Sequence, residues 1–146
     1  MGIMRRFIDK VSGNDGIVSG RRKVFSDLLH DVTIIKSTWS LETWSSQVIT
    51  LTEQLCTDTI DYLDGKYSEN MWRTHHLGSV LKTIEIITQK ERLELIEAEV
   101  AKVWTQAHTI KYPEGLLLLR LKELIERIKI IILYQGIVKK ETRKAA

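Results

Sequence analysis

Cysteine and proline are nearly absent from this chain of 146 residues, which contains one of each. The single cysteine, Cys56, cannot form a disulfide within the chain or provide a multi-cysteine zinc site. The first 20 residues also lack the continuous apolar run of a secretory signal peptide. These absences favour a protein of a reducing compartment whose fold depends on packing alone.

Long uncharged apolar runs are missing as well. The most apolar stretch, residues 116–134, contains six charged side chains. That number is too high for a helix that crosses a membrane. The composition, 43% apolar and 28% charged, is instead typical of one globular domain.

Motifs for catalysis, metal binding and phosphate binding are also missing. The four histidines show no metal-ligand spacing, and the glycines at 13, 16 and 20 do not belong to the GxxxxGK[ST] pattern of a phosphate-binding loop. Cys56 lies on the apolar side of a predicted helix, where a buried, inert thiol is more expected than a nucleophile. We therefore expect no catalytic residue, no cofactor and no metal ion, which favours a non-enzymatic protein.

Apolar residues at helical spacing are what the chain has in abundance. They predict an all-α, single-domain bundle of about five helices, preceded by a short amphipathic N-terminal helix over residues 2–12. The predicted domain organisation is an N-terminal segment with a flexible glycine-containing loop, a helical domain and a basic tail, over 1–20, 21–136 and 137–146. The predicted helices of the bundle span 24–36, 40–64, 68–87, 91–109 and 113–135.

Several residues predict where these helices begin and end. Ser40 and Ser68 are predicted N-caps, and Gly65 and Gly136 are predicted stops. The segment 88–90 is either a kink or a break. The last helix has the most regular apolar stripe, so it is either a central core helix or a partner-binding helix; its stripe is Leu117, Leu121, Leu124, Ile128 and Ile131.

The aromatic residues and histidines on these helices are predicted to serve mainly as core. Trp44, Trp72 and Trp104 each fall on an apolar stripe, whereas Trp39 falls in a loop and is the candidate partner-interface residue. In the predicted helix 68–87, Met71, Trp72 and His75 should pack while His76 should face solvent.

Charge is unevenly distributed along the chain. Residues 37–70 contain one basic and six acidic side chains, whereas both ends of the chain are basic. The candidate basic patch, which could contact phosphate groups, comprises Arg21, Arg22, Lys23, Lys139, Lys140, Arg143 and Lys144. Ordinary surface charge explains the same pattern. No recognition helix is present, so nucleic-acid binding would be non-specific at most.

The N-terminal helix has the composition of a membrane-surface anchor. Apolar residues would enter the acyl boundary and basic residues would lie among anionic head groups; together the predicted contact residues are Ile3, Met4, Arg5, Arg6, Phe7, Ile8 and Lys10. Such contact would be weak and reversible. Packing of this helix onto the domain is the alternative. Gly2 raises the question of myristoylation, but Arg6 stands where that motif prefers Ser or Thr.

Three features together resemble the small accessory C proteins of paramyxoviruses. They are the basic amphipathic N-terminus MGIMRRFIDK, a basic cluster soon after it, and a C-terminal pair of helices, EAEVAKVWTQA and PEGLLLLRLKELIERIKI, joined through a PE turn. The likeness covers about 70 residues of the chain and contains no diagnostic motif. Respirovirus C proteins have a long N-terminal arm that this chain lacks.

This resemblance implies a viral accessory regulator of the host cytoplasm, located partly at the inner face of the plasma membrane. It implies antagonism of interferon signalling, down-regulation of viral RNA synthesis, and host signalling proteins and the viral polymerase complex as partners. Apart from the resemblance, a homodimer stays open as a further state. Two other classes remain open. One is a matrix-type viral structural protein that assembles at membranes, and the other is a small hydrolase that depends on Cys56 or His75.

Overall fold

The computed structural model describes the backbone of residues 14–145 and the side chains of residues 19–134. Every regular element in this part of the chain is helical, which confirms the all-α, single-domain bundle of five helices. The predicted helix over residues 2–12 lies outside the described residues. The five helices are α1 (Asn14–Thr38), α2 (Thr43–Leu63), α3 (Glu69–Met71, Trp72–Leu77 and Gly78–Lys90), α4 (Glu94–Ala107) and α5 (Glu114–Ala145).

The last helix, α5, is a central core helix. It packs on α1, α2 and α4, while α1 pairs most extensively with α2, and α3 with α4. Four residues of the predicted stripe, Leu117, Leu121, Leu124 and Ile128, are fully buried as predicted, whereas the fifth, Ile131, is only half-buried. Burying one such side chain contributes about 1.5–3 kcal/mol to folding. α5 is therefore held in place by several partner helices at once.

Two glycine-based predictions of helix ends are wrong. Residues 14–20 are the first turns of α1 rather than a flexible loop. α5 continues through Gly136 to Ala145, so residues 137–145 of the predicted tail are helical. Once a packed segment has nucleated a helix, each further residue adds a hydrogen bond, and this offsets the low helix propensity of glycine.

Other helix ends agree better with the sequence. The Ser68 hydroxyl accepts a hydrogen bond from the Met71 amide at 3.2 Å, and Gly65 follows α2 with a φ of 83°. α3 ends at Lys90, so the segment 88–90 precedes a break. At the start of α2, however, the N-cap is Glu42 rather than the predicted Ser40.

A π-helical segment in α3, Trp72–Leu77, changes which residues of that helix are buried. Its extra residue per turn rotates the following side chains relative to an α-helix. Within the segment, His75 is consequently exposed rather than packed, and His76 is half-buried rather than solvent-facing. Met71, which precedes the segment, is 43% exposed and so is also not packed as predicted. Gly78 then permits close packing, because a Cβ there would lie 3.2 Å from the Arg73 carbonyl oxygen.

The same segment places Arg73 inside the protein, where its side chain is 4% exposed. Its guanidinium donates hydrogen bonds to the carbonyl oxygens of Gln106, Thr109 and Tyr112 at 3.3, 2.8 and 2.5 Å. It also forms an ion pair with Glu69 at 2.6 Å. These carbonyls belong to the end of α4 and the turn before α5, so one side chain joins three helices.

We expect Arg73→Ala to lower the free energy of unfolding by about 3 kcal/mol, because it removes a buried guanidinium and leaves three part-buried carbonyl oxygens without their donor. Arg73→Lys should recover part of this loss, since lysine keeps the charge but cannot reach three acceptors in a fixed plane. Urea unfolding followed by circular dichroism measures both values. Equal stability of the Ala variant and the wild type would contradict this role.

Candidate protein-interaction surface

The basic triplet of α1 is used in ion pairs within the chain. Arg21 pairs with Glu114 at the start of α5, Arg22 with Asp64 at 2.7 Å, and Lys23 with Asp27 at 2.9 Å. The hydrogen bond from Arg22 lowers the pKa of the Asp64 carboxyl. The positive charge of the triplet is thus largely balanced by neighbouring carboxylates.

The two halves of the predicted basic patch are not adjacent. Arg21 of the triplet pairs with Glu114, the first residue of α5, whereas the second half begins at Lys139, near the end of the same helix. At 1.5 Å per residue, Glu114 and Lys139 are about 38 Å apart along the helix axis. The side chains of Lys139, Lys140, Arg143 and Lys144, like the membrane-contact residues 3–10, lie outside the described residues.

The aromatic residues are mostly structural. Trp44 and Trp72 are buried as predicted, and the Trp72 indole donates to the Thr59 hydroxyl at 3.2 Å. Trp104 is only half-buried. Trp39 is also partly buried and packs against the core, so it is less exposed than expected. Its function as an interface residue stays a prediction.

Side chains that could act as nucleophiles, general bases or metal ligands are dispersed in the described part of the chain. Burial raises the pKa of the Cys56 thiol to about 12, which disfavours the reactive thiolate. His75, the second residue considered for a hydrolase, is exposed and lies 2.9 Å from the Thr74 hydroxyl. Among the residues that the structure describes, no cluster of three or more His, Cys, Asp and Glu side chains could hold a metal ion. In that same part of the chain, no helix is long and apolar enough to cross a membrane.

One small titratable cluster is more closely packed, and sequence reasoning did not find it. The His76 ring stacks on Tyr67 with centroids 4.0 Å apart, and its Nδ1 lies 3.8 Å from an Asp58 carboxylate oxygen. That oxygen is buried and accepts no hydrogen bond in the described part of the chain. Burial raises the pKa of the Asp58 carboxyl, and the nearby His76 partly opposes the rise. The fold therefore favours the protonated form of the Asp58 carboxyl more than water does.

The outward face of α5 is the most distinctive surface. Between residues 116 and 134 this helix has six exposed residues, Leu116, Leu119, Glu123, Arg127, Ile130 and Tyr134, which we call the outer stripe. Their mean spacing equals the 3.6 residues of one helical turn, so the stripe runs parallel to the axis for about 27 Å. Its ends are apolar: Ile130 is 68% and Tyr134 70% exposed. Its middle is charged.

A groove of about 390 Å³ lies beside the outer stripe, between α4 and α5. Leu95, which is 62% exposed, lines it together with Ile130 and Ile131, so its apolar lining continues the stripe. Glu99 on the polar side lies 3.9 Å from the Arg127 guanidinium. A second groove of about 510 Å³, between α2 and α3, is lined mainly by hydroxyl and amide side chains.

The outer stripe is not predicted from the sequence, because the buried stripe of α5 is the more regular pattern and the remaining residues of the helix resemble ordinary surface. The signal was available. Leu116, Leu119 and Ile130 are apolar residues that fall off the buried 4-3-4-3 positions of the same helix. A helix that is apolar on two faces packs on its own domain with one and can pack on a partner with the other.

We expect Asp58→Asn to stabilise the protein near neutral pH. A raised carboxyl pKa means that the folded state binds the Asp58 proton more tightly, so stability falls as pH rises through the carboxyl range. Asparagine removes this dependence while keeping the shape. Urea unfolding at about pH 7 and about pH 3 should show the gain only at the higher value. A variant less stable than wild type at pH 7 would show that His76 outweighs burial.

Comparison of this chain with protein-family models, with curated proteins and with solved structures finds no match.

Proposed function

We propose that this protein is a non-enzymatic accessory regulator that acts by binding other proteins through the outer stripe of α5 and the adjoining α4–α5 groove. The observation that supports the proposal is the exposure of four large apolar side chains on one line of a core helix; they are Leu116, Leu119, Ile130 and Tyr134. Exposed large apolar side chains grouped in pairs at the two ends of one helix face are typical of interaction sites. The helix beneath it is packed on three others, so the surface is rigid and preorganised.

The kind of partner follows from the resemblance to paramyxovirus C proteins. On that basis we propose host signalling proteins and the viral polymerase complex as partners, with antagonism of interferon signalling and down-regulation of viral RNA synthesis as the outcomes. The proposed location is the host cytoplasm. The sequence of residues 3–10 adds weak, reversible contact with anionic membranes at the inner face of the plasma membrane.

Affinity purification from cells tests the protein-binding proposal. We expect Ile130→Glu to lose most of the proteins that the wild type recovers, because it places a charge in the apolar part of the outer stripe. Ile86→Glu is the matched control: Ile86 is 56% exposed on α3, outside the stripe and the groove. Both substitutions are at exposed sites and should leave folding intact.

Recovery of the same proteins by wild type and Ile130→Glu would contradict a role for the outer stripe. Loss in both variants would indicate a general surface effect rather than this surface. Deleting residues 1–12 in parallel separates partners that depend on the N-terminal segment from those that do not.

Flotation with vesicles containing phosphatidylserine tests membrane contact. Arg5→Gln/Arg6→Gln should abolish binding, which should also fall with added salt. The matched control is Arg21→Gln/Arg22→Gln, which removes the same charge from residues already paired with Glu114 and Asp64. Binding that depends on the second pair but not on the first would contradict the proposal.

A further inference from the structure

We propose that the outer stripe of α5 binds the outer stripe of a second copy of this chain, with the two helices antiparallel. The inference deepens the proposed function and rests on it, since it names one partner of the same surface. Three observations carry it: the order of residue types along the stripe, the position of the groove, and the charges at the centre.

The order of residue types is self-complementary about the level of Ile125. Leu116 and Tyr134 lie nine residues before and after that position, and Glu123 and Arg127 lie two residues before and after it. A two-fold axis at the level of Ile125, on the outward face of α5, therefore places Leu116 of one copy opposite Tyr134 of the other. The same axis places each Glu123 opposite an Arg127. Interfaces of this isologous kind use one patch twice.

The groove lies where the antiparallel arrangement needs a recess. Leu119 is six residues before Ile125, so its counterpart in the second copy is the Ile130–Ile131 turn, six residues after it. That turn, with Leu95 of α4, lines the groove of about 390 Å³. Leu119 of each copy, 48% exposed in the single chain, would thus insert between α4 and α5 of the other. The two-fold axis makes this contact twice.

The central charges select the antiparallel direction. A parallel pair would bring Glu123 against Glu123 and Arg127 against Arg127, whereas the antiparallel pair brings unlike charges together. Within one chain, Glu123 lies 3.2 Å from Arg120 and Arg127 lies 3.9 Å from Glu99. Both pairs include exposed side chains and are therefore weak, which leaves Glu123 and Arg127 able to reorient toward a second copy.

Sedimentation equilibrium of the purified full chain tests the inference. The wild type should move with rising concentration from 16.9 kDa toward twice that mass. Ile130→Glu should stay monomeric, and the control Ile86→Glu should dimerise like the wild type. A wild type that stays monomeric at every soluble concentration would overturn the inference, and so would a dimer that survives Ile130→Glu.

Charge reversal tests the antiparallel direction. Glu123→Arg and Arg127→Glu should each weaken the dimer about tenfold or more, because each creates two like-charge contacts. The double variant should restore wild-type dimerisation by exchanging the two charges. Single variants that dimerise as well as wild type, or a double variant that fails to recover while its unfolding curve matches wild type, would overturn the arrangement.

Failure of this inference is distinguishable from failure of the proposed function. If the purified chain is monomeric while affinity purification still recovers proteins in an Ile130-dependent manner, the dimer is wrong and the proposed function stands. If the dimer forms as described and no other protein depends on the stripe, the self-association is supported and the binding of other proteins is wrong.

Discussion

The buried guanidinium of Arg73 is the contact on which the arrangement of α3, α4 and α5 depends. A carbonyl group at the end of a helix needs a donor, and the turn from α4 to α5 offers several such carbonyls to one side chain. Arg73 lies in the π-helical segment, which places its side chain against these carbonyls. Gly78 permits the close approach of the Arg73 carbonyl oxygen, because it has no Cβ. Since this turn leads directly into Glu114, the same contact helps to orient α5 and its outer stripe.

Much of the uneven charge of the sequence is balanced by ion pairs within the chain. The basic residues of α1 lie against the acidic segment 37–70: Arg22 pairs with Asp64, and Lys36 with Glu53 at 2.9 Å. The two helices involved, α1 and α2, are also the most extensively packed pair in the fold. Because these charges face each other, little of the charge of the triplet is left unbalanced. The outer stripe, with its exposed apolar ends, is therefore the described surface that differs most from this pattern of paired charges.

Local patterns predicted much of the fold correctly and failed where a long-range contact intervened. The helical stripes of α2 and α5, the Ser68 cap and the Gly65 turn all depend on residues within one or two turns, which a sequence displays directly. His75 lies on a different face from the one that α-helical spacing predicts, because the π-helical segment that contains it rotates the helix. The predicted helix end at Gly136 is wrong, because glycine permits a helix to end and does not require it to end.

Periodicity of apolar residues was sufficient to establish an all-α bundle, since burial of a helix face requires a repeat near 3.6 residues wherever that helix packs. The same pattern could not show that Arg73 is buried, because its three carbonyl acceptors lie more than thirty residues away in the chain. Nor could it show that the apolar residues off the predicted stripe of α5 stay exposed. The buried stripe and the outer stripe both contain leucine and isoleucine, and only the positions of α1, α2 and α4 around the helix leave one of them in solvent.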